Sequence, residues 1–201
     1  MNRNAERAKS LRDVDSIRRY SLNYDGFPAL SASMQVKASY RAPGTKEFTV
    51  ISESGSSLLR KHVLHRLLES EREAASDAAN RDAVALSTAN YRFSLLGCVS
   101  REGRPLYVMQ VEPLRETKFL YRGKIWIDSQ DFAVSRIEAE PAKNPSYWIL
   151  RSQIDHRYQK IGEFYLPSLN QTATDMRFGG KAMLTIQYLD YKLPEELAGG
   201  R

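Results

Sequence analysis

Cysteine is nearly missing from this chain, with Cys98 the single one among 201 residues. One thiol excludes an internal disulfide framework and any zinc site built on cysteines. Histidine is almost as scarce, with three residues. Long hydrophobic runs are also lacking. Stretches such as Phe93-Ser94-Leu95-Leu96-Gly97-Cys98-Val99 last a few residues, whereas a membrane-spanning helix needs about 20. No apolar h-region of secretory type opens the chain, because Met1-Asn2-Arg3-Asn4 leads directly into charged residues. That start fits a cytoplasmic protein, or a mature domain whose leader has been removed and a start methionine added.

Catalytic constellations are missing too. A zinc protease helix needs His-Glu-x-x-His, and the nearest segment reads His62-Val63-Leu64-His65. His62, His65 and Glu69 share the polar side of a predicted helix, which a solvated surface explains as well as a metal site does. Asp128 and Asp131 bracket a turn, where aspartate is expected for local reasons. Glu138 and Glu140 alternate along a strand. Gly179-Gly180 joins two strands and leads into no helix, so it is a turn and not a phosphate loop. Cys98, among apolar neighbours, reads as a small buried hydrophobe. The sequence therefore predicts no catalytic residue, no metal, no cofactor and no enzyme.

What is present is an ordinary globular composition, with 42% hydrophobic and 27% charged residues. The length fits a single domain over 1–201. The net charge is +6 and the pI about 9.4. The basic residues alternate with carboxylates, as in Arg101-Glu102-Gly103-Arg104 and Arg115-Glu116-Thr117-Lys118. A nucleic-acid binder gathers them into a stripe, so no nucleic-acid partner is expected.

Apolar periodicity gives the layout. Leu11, Val14 and Ile17 recur every three residues and predict an amphipathic N-terminal helix over 5–20. Strict alternation predicts a strand over 32–40, and β-favouring residues another over 46–53. Ser56 or Ser57 can cap a helix over 58–75, rich in good helix formers, whose Leu59, Val63, Leu64, Leu67 and Leu68 need something apolar to cover. A polar loop follows over 76–90. From Tyr91 the pattern is strand after strand: 91–100, 104–113, 118–128, 132–140, 148–160, 170–178 and 181–191. The 141–147 loop and a corner at Gly162–Pro167 are the longer connections. The other connectors are too short for crossover helices, so neighbours must be antiparallel. About nine strands in one sheet must curl, with a face covered. The fold class is thus α+β and mostly β: a strongly curved antiparallel sheet, or incomplete β-barrel, covered by helices.

The same alternation selects the concave face. Its expected lining is Met34, Val36, Phe48, Val50, Phe93, Leu95, Tyr107, Met109, Val111, Phe119, Tyr121, Ile125, Ile127, Leu184 and Ile186, with Leu59, Val63 and Leu67 from the helix. An ordinary packed core and a cavity that accepts an apolar ligand share this pattern, so both readings stay open. Trp126 and Trp148 are candidate anchors for a protein partner.

Three motifs in the C-terminal half carry a resemblance: Tyr121-Arg122-Gly123-Lys124-Ile125-Trp126-Ile127-Asp128, then Asp131-Phe132-Ala133-Val134-Ser135-Arg136-Ile137-Glu138, then Gly162-Glu163-Phe164-Tyr165-Leu166-Pro167. Over 90–191 the chain resembles the outer-membrane lipoprotein-sorting superfamily, to which the LolA, LolB and RseB types belong. The resemblance implies an incomplete barrel with an apolar concave side and helices over its opening. It further implies a non-enzymatic binder of a lipid or lipoprotein acyl chain in the periplasm, with outer-membrane association as the alternative. The alternative function is an envelope sensor or protein-interaction module on the same fold with a filled core, its partner an envelope protein. No lipid-attachment cysteine stands near Met1, and oligomeric state is not legible.

Overall fold

The computed structural model describes residues 7, 10–76 and 82–193. Ten strands form one antiparallel sheet: β1 Asp13–Tyr24, β2 Leu30–Arg41, β3 Thr45–Gly55, β4 Tyr91–Arg101, β5 Arg104–Pro113, β6 Tyr121–Asp128, β7 Val134–Pro141, β8 Ile149–Ile161, β9 Phe164–Met176 and β10 Lys181–Lys192. Their order is β3-β2-β1-β10-β9-β8-β7-β6-β5-β4. Each strand thus lies beside its chain neighbour, except that β1 also pairs with β10 and that β3 and β4 form the two edges. The sheet is curved and open, mostly β, with one long helical run among the described residues.

That run leaves the β3 edge and comprises α1 Ser57–Leu59, a π-helical turn Arg60–Leu64 and α2 His65–Ser76. The Ser56 hydroxyl accepts from the Leu59 amide at 3.4 Å and caps it. Leu59, Leu64 and Leu68 are its buried leucines. The five-residue step from Leu59 to Leu64 is in phase because the π turn holds one extra residue per turn. Val63, expected to face inward, is rotated out and exposed for the same reason.

Two further expectations are corrected. The helix over 5–20 does not extend into 13–20, which is the first part of β1 (residues 5, 6, 8 and 9 of that expectation lie outside the described residues). Val14, Ser16, Arg18, Tyr20 and Leu22 alternate inward, and two polar members of that row disguise the period of two. β9 begins at Phe164 and not at 170, so the expected corner is a tight hairpin. Pro167 is accommodated beside a register shift between Arg157 and Tyr158. The 76–90 loop includes 77–81, outside the described residues, and a short helical turn over 82–84.

The sheet's inner face carries the core in separate clusters. Tyr20, Leu22, Ala32, Met34, Val36 and Ile186 pack with the three buried leucines of the helical run. Tyr91, Val111, Leu120, Ile125, Ile137 and Ala142 pack at the β4–β7 end. Val14, Phe164 and Leu166 form a third, smaller group. The whole Tyr20 and Tyr91 side chains are among those fully removed from water, the largest apolar contributions that such a sheet can bury.

Candidate functional site: the strapped inner face

Register follows one row of the inner face across the sheet: Val36, Arg18, Tyr188 at one level, and Ile186, Asn170, His156, Ile137, Ile125, Met109 along another. The row is apolar at both ends and polar in the middle. On β8 and β9, Ser152 and Thr174 share a hydrogen bond of 3.0 Å, and Ile154 lies opposite Thr172. Burial pushes the His156 imidazole below its ordinary range, and the buried Asn170 Oδ1 has no hydrogen-bond partner among the described residues. Burial likewise raises Tyr158.

The helical run covers only one end of this face. Its backbone approaches β2 and β3, and ionic clamps fix it there. On one side, Glu53 of β3 takes Arg60 of the π turn and His65 of α2, the latter at 2.9 Å. On the other, Glu71 of α2 accepts two hydrogen bonds from Arg18 of β1, at 2.8 and 3.0 Å, and one from Lys46 of β3 at 2.9 Å. Arg18 also lies over the rings of Phe48 and Tyr188, at 5.4 and 4.9 Å. Burial alone would raise the Glu71 carboxyl, but Arg18 and Lys46 outweigh it and hold it low. Burial would lower Arg18, and Glu71 reverses that. Among the described residues, the Nε of Arg18 and the hydroxyl of Tyr20 stay buried without a hydrogen-bond partner.

The expected lining residues divide. Met34, Val36 and Ile186 are buried beneath the strap against its own Leu59, with Phe48, Leu67 and Leu184 packed beside them. Val111 and Ile125 are buried in the second cluster, with Phe93, Met109, Tyr121 and Ile127 beside them. Tyr107 is half-buried and pairs with Ile127. Val50, Val63, Leu95 and Phe119 are exposed. Phe119 is not in a strand, because β6 starts at Tyr121. Leu95 stands beside a register shift on the edge strand β4. Cys98, expected to be buried, is exposed on the same edge. A strand at an edge has one flank and no covering layer, which periodicity does not reveal.

Other candidates resolve locally. Asp128 Oδ1 accepts from the amides of Gln130 and Asp131, both at 2.9 Å, the turn role expected of it. Trp126 is half-buried beneath the Arg136 guanidinium, 5.3 Å from its ring, whereas Trp148 is exposed. Among the described residues no group of three or more His, Cys, Asp or Glu could hold a metal, and no helix is long and apolar enough to cross a membrane. A groove of about 590 Å³ lies on the outer face, lined by the row Gln110, Lys124, Glu138, Asp155 and Gln171 among others. There Arg136 donates to both carboxylate oxygens of Asp155, at 2.9 and 3.0 Å. Burial would raise Asp155, but this arginine and Arg157 hold it low. This is a self-neutralised, solvated ladder.

The sequence reading missed Arg18, Glu71, Lys46 and the His156–Asn170 pair. Arg18 was legible once 13–24 is read with a period of two, since it falls between Ser16 and Tyr20 on the inward row. No local signal marks the other four.

No family model matches this chain, and no curated protein matches it. Solved structures do. A DUF1329 family protein from Desulfovibrio piger is similar at 13% identity and a TM-score of 0.46, covering 96% of this chain and 90% of its own. A putative outer membrane lipoprotein-sorting protein domain from Vibrio parahaemolyticus is similar at 12% identity and 0.44, over 98% and 91%. A LolA superfamily protein from Nitrosomonas europaea is similar at 10% identity and 0.41, over 99% and 96%.

Proposed function

We propose that this protein is a non-enzymatic module of the bacterial periplasm that binds a lipid or lipoprotein acyl chain on the inner face of its sheet. One observation carries the reading. A single helical strap covers the β1–β3 end of that face, and it is held by three leucines and two ionic clamps, with no covalent tie. The β8–β9 strip beside it, with Ile154 and Thr172, lies between two apolar clusters. An acyl chain laid along the strip, beside or beneath the strap, would bury its methylenes at about 0.8 kcal/mol each. Arg18 would meet its polar end wherever Glu71 gives way. The lining expected from sequence enters here as flanks, Met34, Val36, Leu184 and Ile186 on one side and Met109, Val111, Ile125 and Ile127 on the other.

The test is thermal denaturation with fatty acids and lysophospholipids of graded chain length, with mass spectrometry of lipid extracted from the protein purified from bacterial envelopes. The melting temperature should rise with chain length, through binding to the folded state alone, and Ile154→Arg should abolish the rise while leaving the unliganded transition in place. No shift at any length, together with an empty extract, would reject the reading. Near-complete burial of Met34, Val36, Val111 and Ile125 favours the second reading, a protein-interaction module with a filled core. Capture of one specific envelope protein by a lipid-free sample would select it.

A further inference from the structure

Six aromatic side chains are exposed among the described residues, and five of them stand on one rim of the sheet. Phe27 lies in the β1–β2 connection, Phe119 in β5–β6, Tyr147 and Trp148 in β7–β8, and Phe178 in β9–β10. Their exposures run from 60% for Trp148 to 102% for Phe27. Antiparallel order places these four connections at the same strand ends, and backbone hydrogen bonds join them into a continuous belt. The Asp25 amide donates to Lys181 at 3.0 Å, Arg177 to Trp148 at 2.8 Å, and Ala142 to Leu120 at 2.8 Å. Gly180, at φ +83°, packs so tightly on the β1–β2 turn that a Cβ there would stand 2.7 Å from Gly26 Cα.

Four of these five rings contact another ring or a cation. Trp148 lies 6.0 Å from Tyr147 and 5.2 Å from Phe178. Arg177 lies 4.6 Å over Tyr147, and Lys118 4.9 Å over Phe119. The four connections carry Arg115, Lys118, Lys143 and Arg177 against Asp25 and Glu116. The opposite end is mixed in sign, since Glu102, Asp131 and Glu163 stand there with Arg7, which donates to the Asp131 carbonyl at 2.8 Å, and with Arg12, and it carries the sixth exposed ring, Phe132. The exposed rings are therefore concentrated at one end, where the four connections carry four cations against two carboxylates.

We propose that the aromatic rim docks on a phospholipid surface containing anionic headgroups. Tryptophan, tyrosine and phenylalanine beside lysine and arginine suit the boundary between headgroups and acyl chains, and the belt's positive charge suits phosphates. This goes beyond acyl-chain binding and stands without it, because the rim does not include the inner strip.

The test uses the full chain with Trp126→Phe, so that Trp148 alone reports. Vesicles of phosphatidylethanolamine mixed with phosphatidylglycerol should shift its emission to the blue and co-sediment with the protein. Pure phosphatidylcholine vesicles should bind more weakly, and added salt should reduce the difference. Phe178→Ala with Phe27→Ser should weaken partition at least about tenfold, with the thermal transition unchanged because both side chains are exposed. Leu96→Ala, an exposed apolar residue on β4 away from the rim, should leave partition unchanged. An unshifted Trp148 emission, equal partition of the rim variant, or a rim occupied by a specific protein while vesicles stay unbound would each overturn the proposal. Acyl-chain binding is read separately by the melting shift with Ile154→Arg, so failure of either idea leaves the other standing.

Discussion

Arg18 and Glu71, 53 residues apart, meet on the inner face through two hydrogen bonds from one guanidinium nitrogen. The arginine side chain is 11% exposed and the glutamate 26%. A charge pair so far out of water depends on both members, because removal of one strands the other. Glu71→Gln should therefore cost about 3 kcal/mol of unfolding free energy. The double variant Arg18→Met with Glu71→Leu should recover most of it. Urea denaturation of the wild type, both single variants and the pair measures the coupling.

Acid should release the same clamp. The folded-state pKa of Glu71 lies below its ordinary 4.5. A depressed carboxyl contributes stability that is fully present above the unfolded value and is lost as pH falls through the folded one. Stability measured from pH 6 downward should begin to fall near 4.5. In Glu71→Gln that fall should be shallower, and an identical slope in both proteins would refute the assignment.

His156 acts at higher pH. Its folded pKa is depressed below 6.5 by burial, with Asn170 opposite it and Asp155 adjacent opposing the shift. A depressed histidine favours its neutral form when folded, so the unfolded chain takes up the proton first. Stability should decline as pH falls below 6.5 and level off beneath the folded value. The variant His156→Gln should lack this step, and nuclear magnetic resonance titration of the imidazole gives the folded pKa directly.

Gly123 is the close approach between β6 and β7. A Cβ on it would stand 2.6 Å from Ala139 Cα, in backbone that cannot yield as a side chain can. Gly123→Val should destabilise by about 1–3 kcal/mol or more. Guanidinium denaturation tests this, and an unchanged midpoint would refute the close approach.

How legible the chain was depends on which residues face inward. Ala32, Met34, Val36 and Ala38 announce β2 because every inward position is apolar. β1 hides because Ser16 and Arg18 occupy its inward row, leaving Leu11, Val14 and Ile17 to mimic a helical repeat. The strap was readable from its leucines, but not the π turn that turns Val63 away, because one extra residue in a turn leaves no mark on composition. Edge position was hidden as well. Leu95 and Cys98 alternate as a covered strand does, and only the order of strands reveals that β4 has no outer neighbour. Arg18 and Glu71 could not be paired from local sequence, since their meeting depends on how the strap lies across the sheet.

The pairing of β1 with β10 has a consequence for how the protein comes into being. Synthesis proceeds from the amino end, so the first strand made must wait for nearly the whole chain before its second partner exists. Until then the β1–β3 hairpins present an unpaired flank, and the segment from β4 to β9 can assemble only as a fragment. Closure is a late event that joins two ready-made halves along one seam. A ribosome stalled shortly before residue 181 should therefore hold two partly ordered pieces that have not yet become one body.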